Sequence, residues 1–153
     1  MTTLQDALQR FQNAYQTLFD VIAEYPVERR EQSGACGVWS PKQVIDHLSG
    51  WIVEANRRYD NYDAGDTAGI RYDFDTFNAG SVDARAEQSW SASEAEVRQR
   101  AADFQQRAQN VDPASPLIER YAGWLDVLGE DCEEHTEQLR AFADQSSDTV
   151  HSE

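Results

Sequence analysis

GVWSPKQVIDHLSGW, residues 37–51, is the stretch of sequence that decides the fold. Ser40 is a favoured helix N-cap, and Pro41 suits the first helical position, where its missing backbone N–H costs nothing. Apolar residues then recur at helical spacing, which predicts an amphipathic helix with one buried face. That face comprises Val44, Ile45, Leu48, Trp51, Ile52 and Ala55. The stretch therefore predicts a long helix that begins after Ser40 and ends near Tyr59 or Tyr62.

His47 lies inside this apolar face, between Val44 and Trp51. An imidazole buried there without hydrogen-bond partners would cost roughly 1–3 kcal/mol for each unpaired nitrogen. We therefore expect a polar partner for His47 on another element of the fold.

The segments before and after this helix also lack any strand pattern. Residues 3–25 carry apolar side chains at alternating steps of four and three, which predicts an amphipathic helix that Pro26 ends. Residues 63–73 contain Gly65 and Gly69 and show no periodicity, so we expect a long loop there.

Three further helices are expected in the second half of the chain. A short one begins near Asp75 or Thr76, and the next is capped by Ser91 or Ser93, each followed by a glutamate three residues later. The last runs from about residue 117 or 121 to residue 142 or 143.

These elements together predict an all-α fold. We expect a four-helix bundle with an extra short helix and a long loop between the second and third helices. The bundle is predicted to form a single domain over residues 1–145, followed by a polar, disordered tail over residues 146–153.

The charge balance limits the possible partners. The formal net charge is −15, with 28 acidic and 13 basic side chains, and no cluster of Lys and Arg could bind phosphate groups. Nucleic acid and membrane surfaces are therefore not expected as partners. No apolar run approaches the ~20 residues of a membrane span, and the N-terminus lacks the apolar centre of a signal peptide. We expect a cytoplasmic protein.

A second histidine lies on the apolar seam of the last helix. His135 follows Cys132 there and precedes Leu139, and Asp131 lies one helical turn before it on the same face. Two seam histidines and this carboxylate would form a 2-His-1-carboxylate set, which suits zinc or another divalent metal. The alternative is that both histidines are hydrogen-bonded core residues without a metal.

Further candidates surround His47 on its own helix. Glu54 lies two turns beyond His47 and is a candidate general base, or a hydrogen-bond acceptor that orients a metal-binding side chain. Trp51, Tyr59 and Tyr62 are candidates for the wall of a substrate pocket between the helices, which would admit a small molecule.

Three motifs are similar to those of the DinB-like family. WSPKQVIDHLSGW at 39–51 resembles the second-helix signature of that family. DFDTFNAGSVDARAEQSW at 73–90 resembles its third-helix region, and GEDCEEHTEQLRAF at 129–142 resembles its last helix. The resemblance spans nearly the whole chain in the right order and implies a four-helix bundle.

The resemblance also implies a divalent metal, commonly zinc or nickel. The family holds it with one histidine on the second helix and two on the last helix, four residues apart. His47 matches the first of these. On the last helix, either His135 is the second of the pair and Asp131 replaces the first, or His135 is the first and Leu139 replaces the second. In both registers Asp131 is on the same face and can donate an oxygen.

Two functions are consistent with this resemblance. One is a metal-dependent enzyme that transfers a thiol or hydrolyses a reactive electrophile, because characterised members include thiol transferases and thiol-dependent isomerases. The other is a metal-free binding or resistance protein, similar to the ClbS/DfsB branch, which protects cells against a reactive natural product. Relatives often pair, so a homodimer is a further expectation.

Overall fold

The computed structural model describes residues 3–151, and side chains for residues 3–145. Within this part of the chain there are five α-helices and no strand. Their bounds are α1 Leu4–Ala23, α2 Pro41–Asp63, α3 Phe74–Ala84, α4 Trp90–Gln109 and α5 Ile118–His151. The predicted all-α bundle of four long helices and one short helix, α3, is confirmed.

Helix α2 begins as its sequence predicts. The Ser40 side chain accepts from the backbone N–H of Gln43, and the Gln43 side chain accepts from the backbone N–H of Ser40. Pro41 is the first helical residue. The helix ends at Asp63 and is followed by an irregular segment over residues 64–73, where a long loop is predicted.

The core forms where the apolar faces of the four long helices meet. Helix α1 packs mainly along α5, and α2 packs mainly along α4, while α3 lies against α2. Residues on the apolar face of each long helix are buried, among them Leu18, Leu48, Trp51, Phe104, Leu128 and Leu139. None of the described helices is long and apolar enough to cross a membrane.

Helix α4 begins earlier than its sequence suggests. Its N-cap is Ser89, whose side chain accepts from the backbone N–H of Ala92, so the predicted caps Ser91 and Ser93 are wrong. Trp90 is the first helical residue, and its ring stacks on Tyr25 with centroids 5.7 Å apart. Burial of this large ring fixes the start of the helix, and Ser93 is thereby buried inside it.

Helix α5 is longer than predicted. It begins at Ile118, near the expected start, but it continues past the expected end at residue 142 or 143 to His151. The polar tail predicted over residues 146–153 lies outside the residues whose side chains are described and stays a prediction.

Candidate functional site

His47, Asp131 and His135 meet between α2 and α5. Nε2 of His47 lies 3.2 Å from Oδ2 of Asp131, and Nε2 of His135 lies 3.3 Å from Oδ1 of the same carboxylate. The two imidazole rings are 4.9 Å apart at an edge-on angle of 77°. One carboxylate therefore lies between the two histidines that the sequence places on buried helix faces.

The hydrogen bonds of His135 constrain its protonation. Its Nδ1 atom lies 2.7 Å from Oε1 of Gln138, a pairing that the tautomer with a proton on Nδ1 satisfies. In neutral His135, Nε2 would then present a lone pair to Asp131, and two acceptors would face each other. In this tautomer the contact with Asp131 is favourable when Nε2 holds a cation, which is either a second proton or a metal ion.

The pKa values in the cluster follow from this pairing. Burial tends to raise the pKa of Asp131, but hydrogen bonds from His135 and His47 outweigh it and hold that pKa well below its usual range. Burial tends to lower the pKa of His135, but the hydrogen bond and charge of Asp131 outweigh it and raise the net value. The carboxylate is therefore ionised at neutral pH, and His135 is predisposed to hold a proton.

His47 is less completely paired. Its Nε2 atom faces Asp131, whereas its buried Nδ1 atom has no hydrogen-bond partner among the described residues. The ring of Trp39 packs against it with centroids 5.1 Å apart. His47 thus lacks the acceptor that the second nitrogen of a metal-binding histidine usually has.

The donor set fits a divalent metal. The ligand atoms of His47, Asp131 and His135 all lie within 4.8 Å of one another. The two nitrogen–oxygen distances, 3.2 and 3.3 Å, end on different oxygens of Asp131, so an ion between the rings would take one or both of these oxygens together with the two Nε2 atoms. The Gln138 oxygen would fix the Nδ1–H tautomer of His135 and leave Nε2 for the metal. His47 departs from the usual pattern because its Nδ1 has no acceptor.

The cluster opens into a cavity of about 520 Å³ between α2, α3 and α5. Both His47 and Asp131 are part of its wall. Aromatic and aliphatic side chains form most of the remainder. They are Trp51, Tyr62, Tyr72, Phe74, Trp124, Val127 and Leu128, with Asn78 and Arg120 as further polar lining residues. A hydrogen-bonded histidine–carboxylate pair thus lies in the wall of an otherwise largely apolar cavity.

Trp51 is the centre of the aromatic wall. Its Nε1–H donates to Oδ1 of Asn78 at 2.7 Å, which satisfies the indole and fixes its orientation. Its ring lies 4.2 Å from that of Phe77 and 5.2 Å from that of Tyr72. Helix α3 and the segment before it therefore hold Trp51 in place.

The two tyrosines predicted for the pocket lie in different places. Tyr62 lines the cavity, and its hydroxyl accepts from Nε1–H of Trp124 at 3.1 Å. Tyr59 does not line it: the side chain is fully buried, and its hydroxyl donates to the backbone carbonyl of Tyr121 at 2.7 Å. The assignment of Tyr59 to the pocket wall is corrected to a core role.

Glu54, the candidate general base, is occupied by other groups. It forms two hydrogen bonds with the Arg57 guanidinium and accepts a third from the hydroxyl of Tyr72 at 2.5 Å. Burial tends to raise its pKa, but these donors outweigh it and lower the net value, which disfavours a base. Glu54 is not among the cavity-lining residues, and its contact with Tyr72 makes it a positioning residue.

Comparison with known proteins establishes the fold type. No family model and no curated protein matches the chain. A solved structure titled "Sibling Lethal Factor Precursor - DfsB" is similar, with a TM-score of 0.80 over 95% of this chain and 98% of that chain. The two sequences are 11% identical, so the likeness extends to an all-helical fold of the DfsB type and not to ligand or activity. Membership of the DinB-like family stays a prediction.

Several lining residues are not found by sequence reasoning. Tyr72 lies at the end of the irregular segment and Phe74 is the first residue of α3, and no periodicity in the sequence there assigns either side chain to a face. Trp124 has a usable signal, because it lies one turn before Leu128 and nearly two turns before Asp131 on the same face of α5. A second tryptophan, Trp39, contacts His47 from outside the cavity lining.

Proposed function

We propose that this protein binds a small, largely apolar molecule in the cavity and acts on it at a divalent metal ion held by His47, Asp131 and His135. The observation that carries the proposal is the position of His47 and Asp131, which belong both to the cluster and to the cavity wall. A ligand in the cavity would therefore contact the groups that can carry chemistry.

Each residue has a distinct role in this proposal. A bound zinc or nickel ion would act as a Lewis acid and lower the pKa of a water or thiol that binds it. Asp131 would supply a negatively charged oxygen ligand to the metal, and His47 would supply Nε2 as a nitrogen ligand on the cavity side. Gln138 orients His135 through the bond to Nδ1. The aromatic side chains of Trp51 and Trp124 would contact the apolar part of the molecule and exclude water.

Metal binding to purified protein tests the proposal. After chelator treatment and dialysis, calorimetric titration with zinc and with nickel is expected to show about one ion per chain bound at micromolar concentration or tighter. The variants His47→Ala and Asp131→Ala are expected to lose this binding and to keep their helix content. Glu130→Ala is the matched control, because Glu130 is an exposed acid beside Asp131 on the same helix.

A specific observation favours a second function, which is metal-free binding of the same class of molecule. Asp131 is already paired with two imidazoles, and the buried Nδ1 of His47 lacks the acceptor typical of a metal ligand. In this case a protonated His135 replaces the metal, and the cavity alone binds the ligand. Absence of zinc and nickel binding at micromolar concentration in the wild-type protein would reject the metal-dependent function and favour this one.

A further inference from the structure

We infer that the ligand of this cavity is an elongated, largely apolar acid whose anionic group binds Arg120, at the opposite end of the cavity from Asp131. The inference rests on the proposed function only because it takes the cavity as the binding site. It requires neither a metal nor a particular reaction.

The cavity follows the length of one face of α5. From its beginning to its middle, this helix contributes Arg120, Gly123, Trp124, Val127, Leu128 and Asp131 to the lining. These positions recur at helical spacing, and a rise of 1.5 Å per residue places Arg120 and Asp131 about 16 Å apart along the axis. The two charged groups on this face therefore lie at opposite ends of the cavity.

Helix α2 forms the facing wall and runs antiparallel to α5. His47 near its beginning contacts Asp131, and Tyr62 near its end contacts Trp124. Between these two contacts the wall is aromatic, with Trp51 lying 6.4 Å from Trp124 between ring centroids. A molecule that fills the cavity must therefore be long and apolar in its middle part.

Arg120 is the only Lys or Arg among the described residues that line the cavity. It has no ion pair with a carboxylate in the described part of the chain, and its recorded hydrogen bond is a long one of 3.4 Å from Nη1 to the carbonyl of Thr67. By contrast, Arg57 is paired with Glu54, and Arg107 with two aspartates. Arg120 therefore has donors available for a ligand.

The distribution of charge favours an anion at this end of the cavity. A guanidinium presents several N–H donors in a fork that matches a carboxylate or sulfonate. At the other end Asp131 is paired with two imidazoles, so it offers little attraction to a cationic ligand, while Arg120 would repel one. The net charge of −15 opposes anion binding in general, so any preference for an anion must come from Arg120 locally.

Two fluorescent probes with the same ring skeleton test the inference. 8-Anilinonaphthalene-1-sulfonate carries a sulfonate, and N-phenyl-1-naphthylamine is its uncharged counterpart. We expect the wild-type protein to bind the sulfonate more tightly. Arg120→Gln is expected to weaken binding of the sulfonate probe by about 3- to 5-fold, as for an exposed charge-assisted hydrogen bond, and to change binding of the neutral probe by less than about 2-fold.

Two further variants separate the possible results. Arg140→Gln makes the same charge change on α5, about 30 Å from Arg120 along the helix axis. It is expected to leave the affinity for both probes unchanged. Gly123→Leu fills the cavity, because a Cβ at Gly123 meets no atom within 4 Å and the residue lines the wall. This variant is expected to weaken binding of both probes by at least about 10-fold, since it removes the space that both probes occupy.

Each outcome decides between the inference and the proposed function. If Gly123→Leu weakens binding of both probes but Arg120→Gln leaves binding of the sulfonate probe unchanged, the cavity binds ligands and the role of Arg120 is overturned. An equal loss of affinity for both probes in Arg120→Gln would also overturn the role of Arg120 as an anion site. Arg120 would then have a structural role, which is to hold the segment at Thr67. If Gly123→Leu changes neither probe, the cavity is not the binding site, and the proposed function fails together with the inference.

Discussion

Asp131 and His135 lie one turn apart on α5, with 3.3 Å between Oδ1 and Nε2. In the tautomer of His135 whose Nδ1 donates to Oε1 of Gln138, a second proton or a metal ion joins the carboxylate and Nε2. A proton and a metal therefore compete for the same lone pair, and metal binding is expected to release a proton and to weaken as the pH falls.

The first prediction concerns the pKa of His135 in metal-free protein. Asp131 faces its Nε2, Gln138 its Nδ1 and His47 its ring edge, and the nearby charge of Glu134 also favours the protonated form. An NMR titration should give a value above the usual ~6.5. Asp131→Asn should lower it, whereas Glu130→Gln should leave it nearly unchanged. A value in the wild-type protein below 6.5 would contradict the pairing.

The second prediction is the pH dependence of stability that follows from this shift. A histidine whose pKa is raised on folding stabilises the fold fully below its unfolded-state pKa of ~6.5, and this contribution is lost as the pH rises through the folded-state value. Urea unfolding of metal-free protein should therefore show a larger cost of Asp131→Asn at pH 6 than at pH 9. An equal cost at both pH values would mean that His135 does not hold the proton.

The site residues on the long helices could be predicted because helix faces are a local property of the sequence. Val44, His47 and Trp51 share a face by spacing alone, and so do Asp131 and His135. Because both faces are apolar enough to be buried, the faces of α2 and α5 are expected to meet in the core. The sequence thus predicts the His47–Asp131–His135 cluster before any contact is known.

The rest of the cavity depends on non-local packing. Tyr59 and Tyr62 are three residues apart on α2, yet one is buried against Phe104 and Tyr121 and the other lines the cavity. The rotation of α2 against its neighbours decides between them, and spacing does not encode that rotation. Tyr72 is placed by its bond to Glu54, a pairing across an irregular segment that no periodic pattern predicts.

The third prediction tests the core. Leu48 is 1% exposed and lies on the same helix as Val53, which is 38% exposed. Leu48→Ala should lower the free energy of unfolding by roughly 2–5 kcal/mol, because it leaves a cavity in the bundle. Val53→Ala is the control and should change it by less than about 1 kcal/mol. Equal effects in urea denaturation would contradict the assigned orientation of α2.

The fourth prediction concerns the positioning role of Glu54. Tyr72→Phe removes the hydroxyl that donates to Glu54 and keeps the ring against Trp51. We expect a loss of roughly 1.5–3 kcal/mol in unfolding free energy, the range for a hydrogen bond to a charged group. Binding of N-phenyl-1-naphthylamine should also weaken, because Tyr72 lines the cavity. A general base at Glu54 with no structural role would predict no change in either measurement.

The last prediction concerns the close approach of α2 and α3 at Gly50. A Cβ added at Gly50 would lie 2.2 Å from Oγ and 2.5 Å from Cβ of Ser81. Alanine favours a helix over glycine by about 1 kcal/mol, yet Gly50→Ala should destabilise the protein, by about 1–3 kcal/mol, since the two helices must separate. Because α3 carries Asn78 and Phe77 against Trp51, the same variant should weaken binding of the neutral probe.

The double variant Gly50→Ala/Ser81→Gly is the decisive control. Removing the Ser81 side chain leaves its Cα, 3.7 Å from the added Cβ, as the nearest recorded atom, which is an ordinary van der Waals distance. The double variant should therefore be more stable than the sum of the two single changes, with a coupling free energy of at least about 1 kcal/mol. It should also recover probe binding lost in Gly50→Ala. Additive effects in urea denaturation would show that Gly50 and Ser81 do not set the distance between α2 and α3.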